Sequence, residues 1–77
     1  IRIPTRYKIL LVLHKSPESV GQLSNLLGLN QPAVSNQLKF LKNLGLVDGF
    51  KYGKQVTYKI SKGYIRALIQ ILSSHLG

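Results

Sequence analysis

Gln31, Pro32, Ser35 and Asn36 stand within six positions of one another. A Gln or Asn amide carries donor and acceptor side by side, so either can pair bidentately with the major-groove edge of adenine; a serine hydroxyl can serve in either role. Pro32 adds an apolar surface suited to a thymine methyl. Lys39 and Lys42 follow on the same segment, and Lys51, Lys54 and Gln55 come a little later. An ammonium is a point charge suited to phosphate. This chemistry is recognition, not bond making. Two acids, two distant histidines and no cysteine leave no triad, metal hydrolase or general acid–base pair, and there is no glycine-rich phosphate loop.

The overall charge points the same way. The 77 residues hold 11 Lys and Arg against 2 acids, a formal net charge of +9. That is more than a small domain needs for solubility, and phosphate backbones are the foremost partners for it, with anionic membrane surfaces second. An apolar fraction of 44% is ordinary for a globular chain and argues against disorder. The absence of cysteine excludes disulfides, thiolate metal sites and thiol redox sensing. No apolar run approaches the roughly 20 residues that cross a bilayer, and no secretory signal pattern is present. A start at Ile1 rather than Met is what a piece of a longer protein would show. The length suits a single domain covering residues 1–77.

Those polar residues need elements to position them. Pro4 and Thr5 open a first helix over 5–15, with Ile9, Leu10, Val12 and Leu13 as its apolar positions. Ser16-Pro17-Glu18 reads as a break. Ser19 and Gln22 form a capping box for a second helix, in which Val20, Leu23, Leu26 and Leu27 make one buried stripe and Gly28 is the left-handed stop. Asn30 caps a third helix, with Pro32 in its first turn. At about 100° per residue, Ala33, Val34, Leu38, Phe40, Leu41 and Leu44 share an arc of roughly 160° toward the core. Gln31, Ser35, Asn36, Lys39, Lys42 and Asn43 fall outside it. Gln37 falls within the arc and reads as a buried hydrogen-bonding group.

The outer face of the third helix contains amides, a hydroxyl and lysines but no acid. A helix that merely faces solvent gains from mixing Glu with Lys, so the pattern favours a polyanion partner. Gly45 stops this helix, and Leu46 can pack back on Leu41 in a Schellman cap. Val56, Tyr58 and Ile60 alternate with Gln55, Thr57 and Lys59 in the period of a half-buried strand; with Tyr52-Gly53-Lys54 as the turn, residues 47–60 read as a hairpin. Its lysines also suit the ordinary protection of an edge strand. A last helix is expected over about 63–76. Ile65, Leu68, Ile69, Leu72 and Leu76 form its broad apolar stripe, widened by Tyr64 and Ile71, which suggests a partner surface as well as a core face.

Two capped helices joined by a tight turn over about 19–44, followed by a basic hairpin, make a mainly α domain with a small β-hairpin: a winged helix-turn-helix. Pro4-Thr5-Arg6, Ser19-Val20-Gly21, Gly28-Leu29-Asn30-Gln31, Val34-Ser35-Asn36-Gln37-Leu38, Leu44-Gly45-Leu46-Val47 and Gly53-Lys54-Gln55-Val56 with Tyr58 resemble the ArsR/SmtB family of bacterial and archaeal repressors. Singly these motifs are weak; in this order, along nearly the whole chain, they are specific. The resemblance implies a cytoplasmic, nucleoid-associated homodimer that represses transcription and releases double-stranded DNA on binding an effector. It also implies that the dimer is built by the last helix and a further helix that precedes residue 1 in the family's pattern.

The departures from that pattern matter. One group of relatives places two metal-binding cysteines where this chain has Ser19 and Gly21, neither of which supplies a thiolate. Another binds metal on the last helices, where the matching positions are Lys62, Tyr64 and His75 and the fourth lies beyond Gly77. A lysine opposes a cation, and one histidine per subunit does not make a four-ligand zinc site. His75 and His14 instead read as residues satisfying helix C-termini. The family's common histidine is Asn36 here. The expectation is a non-enzymatic transcriptional regulator with no cofactor and no metal. Gln31, Pro32, Ser35 and Asn36 read bases; Lys39, Lys42, Lys51, Lys54 and Gln55 hold the backbone and form the wing contact; and Ile65, Leu68, Ile69, Leu72 and Leu76 form a dimer interface. Two alternatives are a non-specific DNA-binding protein and a protein-interaction winged helix; the latter would carry apolar or acidic anchors on the third helix, and this chain carries none there. A membrane-surface role for the last helix is weaker, since Arg66 is its one basic residue.

Overall fold

The computed structural model describes residues 2–63, 68, 70–72 and 74. In chain order the elements are α1 (Thr5–Lys15), β1 (Glu18–Ser19), α2 (Val20–Leu27), α3 (Gln31–Asn43), β2 (Val47–Tyr52) and β3 (Gln55–Ile60). The strands form one antiparallel sheet in the order β1-β3-β2.

Pro4 sets the start of α1 through its fixed φ, and its carbonyl accepts from the N–H groups of Tyr7 and Lys8. Ile9 and Leu13, one turn apart, carry α1 into the core, while His14 and Lys15 occupy the last turn, where cations suit the dipole. Helix α2 opens with the expected capping box: Gln22 N–H donates to Ser19 Oγ at 3.2 Å, and Ser19 N–H donates to Gln22 Oε1 at 2.8 Å. It stops at Gly28, whose φ of 67° is open to glycine without a Cβ penalty. Helix α3 is capped by Asn30, which accepts from the Ala33 N–H at 2.8 Å. It ends in the expected Schellman pair, Gly45 N–H to Lys42 O and Leu46 N–H to Leu41 O.

One core joins these pieces: Ile9, Leu13, Leu23, Val34, Leu38, Leu41, Leu46 and Val47 are all buried. Val34, Leu38 and Leu41 follow i, i+4, i+7 spacing, so the buried arc of α3 is narrower than its apolar arc. Phe40 and Leu44 are exposed at 42% and 40%, contrary to the expectation that they face the core. Both lie on one flank, roughly 80–120° around the helix from Val34. There the Arg6 guanidinium covers the Phe40 ring at 4.8 Å from its centroid. Gln37, on the same flank, is half-buried rather than buried. In α2, Leu26 is 61% exposed and leaves the stripe assigned to it. It sits roughly 100° from Leu27, at the edge of the face that a helix this short can cover.

The wing folds as a two-residue hairpin. Tyr52 pairs with Gln55, and Gly53, first of the two turn residues, has φ 61° while no described non-glycine residue has positive φ, the arrangement of a type II′ turn. Gly49 admits the Tyr58 ring, which would stand 3.0 Å from a Cβ there. Thr57 is half-buried, unlike its alternation partners Gln55 and Lys59. The base of the wing is tied to the end of α3 by Ser61, whose N–H donates to Leu46 O and whose hydroxyl donates to Gly45 O.

The expected break at Ser16-Pro17-Glu18 is in part a strand. Glu18 pairs with Tyr58 and Ser19 with Thr57. Pro17 biases Ser16 to extended backbone, observed at φ −165° and ψ 152°. Two residues are too few to show a strand period.

Leu68, Gln70, Ile71, Leu72 and Ser74 are helical, and Ile71 packs against the core. The expected last helix over 63–76 is described only at these positions. Of the expected dimer face, Leu68 is half-buried and Leu72 is 48% exposed; Ile65, Ile69 and Leu76, like Tyr64 and His75, lie outside the described residues.

Candidate nucleic-acid interface

Three elements converge on one open cleft of about 360 Å³. It is lined by Ser19, Val20 and Gly21 from β1 and the start of α2, by Gln31 and Ser35 from α3, and by Lys54, Gln55 and Val56 from the wing. The fold therefore brings two expected base-reading residues together with two expected wing residues. The caps explain how. Ser19 fixes the first turn of α2 and Asn30 fixes the first turn of α3, so both helix N-termini are held beside the wing. An N-terminal turn presents free N–H groups and a partial positive charge, which favours an anion.

Gln31, Pro32, Ser35, Asn36, Lys39 and Lys42 are all exposed. Gln31, Ser35 and Lys39 recur every fourth residue, one stripe running from the cleft toward the end of α3. Asn36 lies roughly 100° around the helix from Ser35 and outside the cleft lining. On the wing, Lys51 pairs with Val56 and shares its sheet face, so its stem is on the cleft side. Lys54 occupies the turn itself.

Sequence reasoning missed Gly21. A Cβ there would stand 3.7 Å from Gln31 Nε2, so the Gln31 amide lies against the first turn of α2. The capping box that begins two residues earlier was the available signal. Neither acid lines the cleft: Glu18 accepts a hydrogen bond from Ser16 Oγ at 2.8 Å, and Asp48 sits at the base of β2. The arrangement is a cationic surface with neutral hydrogen-bonding groups at its centre.

Three of the positions that the resemblance matches to metal ligands fall among the described residues. The Ser19 hydroxyl caps α2, Gly21 has no side chain, and Lys62 is exposed. Among the described residues no three His, Cys, Asp or Glu side chains gather where they could hold a metal ion. No helix among them is long and apolar enough to cross a membrane.

Residues 4–48 match the family described as bacterial regulatory protein, arsR family. The chain is 34% identical over 74 residues to the transcriptional repressor SmtB of Mycobacterium tuberculosis, covering 96% of this chain and 55% of that protein. It is 39% identical over 67 residues to the transcriptional activator HlyU of Vibrio cholerae, covering 87% of this chain and 62% of that protein. The chain thus spans little more than half the length of these relatives. The structure of reduced HlyU superposes with a TM-score of 0.76 at 37% identity, over 91% of this chain and 74% of that one. A homodimeric winged helix-turn-helix DNA-binding domain from Mycobacterium bovis gives a TM-score of 0.75 at 30% identity, over 94% of this chain and 70% of that one.

Proposed function

We propose that this chain, which belongs to the arsR family of bacterial regulatory proteins, is the double-stranded DNA-binding unit of a homodimeric transcriptional repressor. The observation that carries the reading is the acid-free outer face of α3 meeting Lys54 and Gln55 of the wing across one cleft. Gln31, Ser35 and Asn36 read base edges in the major groove, and Pro32 lies against thymine methyls. Lys39, Lys42, Lys51 and Lys54 hold phosphates, and Gln55 adds a neutral wing contact. Phosphate contacts set register and salt dependence, whereas the amides set sequence.

Dimerisation through the last helix fits the apolar Leu68 and Leu72 and the homodimeric relative from M. bovis. Two heads then bind half-sites about one helical turn, roughly 10 bp, apart. Repression follows the family resemblance and the SmtB relative; the HlyU relative is named an activator, so an operator–reporter assay decides the sign. A regulator bound to its operator resides in the cytoplasm at the nucleoid. Ser19 and Gly21 supply no thiolate and Lys62 no carboxylate at positions that the resemblance matches to metal ligands, which favours an effector other than a metal ion.

Selection of bound duplexes from a random DNA pool tests this reading. A pseudo-palindrome is the expected product. Retention of DNA without any enriched sequence makes the chain a non-specific binder, and failure to retain duplex removes the proposal.

A further inference from the structure

The sheet leaves one long edge open. Its order is β1-β3-β2, so β3 is enclosed, β1 is an edge of two residues and β2 is an edge of six. Tyr52 and Gln55 close the two-residue turn, and a pair in that position exchanges both of its hydrogen bonds. Alternation from there turns the backbone groups of Tyr52, Phe50 and Asp48 toward β3 and those of Lys51 and Gly49 outward. Among the described residues, no backbone hydrogen bond outside the ladder to β3 involves residues 47–52. An unpaired edge is a template for another strand unless something blocks it. β2 has no proline, Gly49 lies within it, and Lys51 is its one cation.

The side chains beside this edge indicate what pairs with it. Phe50, 38% exposed, and Tyr52, 68% exposed, share one sheet face with Asp48. Lys59 stands across from Asp48 in the register, yet its ammonium lies over the Phe50 ring, 4.6 Å from the centroid. Lys51 is on the other face, with Val47 and Gly49. Residues 47–60 hold three lysines and one acid, so a strand laid along β2 meets net positive charge. Acids suit the positions opposite Gly49 and Lys51. Apolar residues suit those opposite Asp48, Phe50 and Tyr52, where an acid would confront Asp48. A second copy of the chain is the poorer occupant, since it brings the same three lysines to the same edge.

We propose that the open edge of β2 is a docking site for an acidic, extended segment of a partner protein, added antiparallel as a fourth strand. Its main chain pairs with Gly49 and Lys51, its acids lie beside Lys51, and its apolar residues cover Phe50 and Tyr52. The proposal does not depend on duplex binding, and it assigns a role to an edge that the cleft does not use.

The probe is a short, fluorescein-labelled peptide of alternating Glu and Val, added to the intact chain without DNA. Fluorescence anisotropy reads binding, and amide hydrogen exchange by NMR reads its place. The Gly49 and Lys51 amides should exchange about tenfold more slowly once about nine-tenths of the chain is bound. N-methylation of the Glu residues, whose N–H groups face β2, should abolish binding. N-methylation of the Val residues, whose N–H groups face away, should preserve it. The two methylated peptides have equal charge, so plain attraction between an acidic peptide and a basic chain does not separate them. Lys51→Ala should weaken binding about two- to fivefold, the scale of one cross-strand charge pair. Lys51→Pro, which also removes an outward donor, should weaken it about tenfold or more. Thermal melts confirm that both variants fold. Absence of binding, equal binding of the two methylated peptides, or protection at Gln31 and Ser35 in place of Gly49 and Lys51 overturns the proposal. So does protection of Gly49 and Lys51 that rises with chain concentration before peptide is added, which makes the occupant a second copy. Protection by oligothymidine and not by the peptide overturns it too, and makes the occupant a nucleic acid. Each of these outcomes leaves the duplex reading to its own test.

Discussion

Ser19 and Thr57 stand opposite each other in the sheet, and the same Ser19 caps α2. One buried serine therefore locks the helix-turn-helix to the wing. The two halves of the cleft, Gly21 with Gln31 on one side and Lys54 with Gln55 on the other, meet through this residue and its neighbours.

Ser19→Ala should lower stability by about 0.5–2 kcal/mol, the range for losing an N-cap. Urea denaturation followed by circular dichroism measures it. Gln22→Ala removes only the return bond to Ser19 N–H, so its effect should be smaller. Equal effects would show that the Ser19 hydroxyl is not the principal element of the cap.

Two glycines should respond to alanine for different reasons. At Gly45, φ is 79° and nothing lies within 4 Å of an added Cβ, so the loss is backbone strain of about 1–2 kcal/mol. At Gly49 the added Cβ meets the side chains of Tyr58 at 3.0 Å and Val56 at 3.3 Å, so these side chains must give way, at about 1–3 kcal/mol. Trimming the neighbour distinguishes them: Tyr58→Leu should recover part of the Gly49→Ala loss and none of the Gly45→Ala loss.

Leu38 and Leu26 are both apolar positions on helices, but only Leu38 is fully buried. Leu38→Ala should lower stability by about 2–5 kcal/mol. Leu26→Ala, at an exposed site, should stay within about 0.5 kcal/mol. Chemical denaturation of both variants checks the contrast, and a large Leu26 effect would restore the four-residue stripe in α2.

Reading and anchoring should separate cleanly between Asn36 and Lys54. Asn36→Ala should lose about 1–3 kcal/mol on the selected operator and relax preference at one base position. Lys54→Ala should weaken operator and random duplex about equally and flatten the salt slope by about one unit. Titrations of both variants on both duplexes across a salt series give the answer. A loss for Asn36→Ala that is equal on the two duplexes would remove it from the reading face.

The sequence by itself determined what short-range physics controls. Caps at Ser19 and Asn30, stops at Gly28 and Gly45 and the turn around Gly53 each depend on a few neighbouring residues, so residue types and spacing suffice to locate them. The charge asymmetry of α3 is legible for the same reason, because helical spacing fixes which side chains share a face. Only the tertiary structure decided which apolar residues find cover. Leu26, Phe40 and Leu44 have the right character for a core, but they lie at edges of α2 and α3 that stay exposed, and Phe40 carries the Arg6 guanidinium of α1 over its ring. Only the fold revealed that Glu18 and Ser19 form a strand, since their partners Tyr58 and Thr57 are distant in sequence and two residues carry no period. The contact between Gln31 and the first turn of α2, and the approach of both to Lys54 across the cleft, likewise follow from packing three elements on one core, which no local pattern encodes.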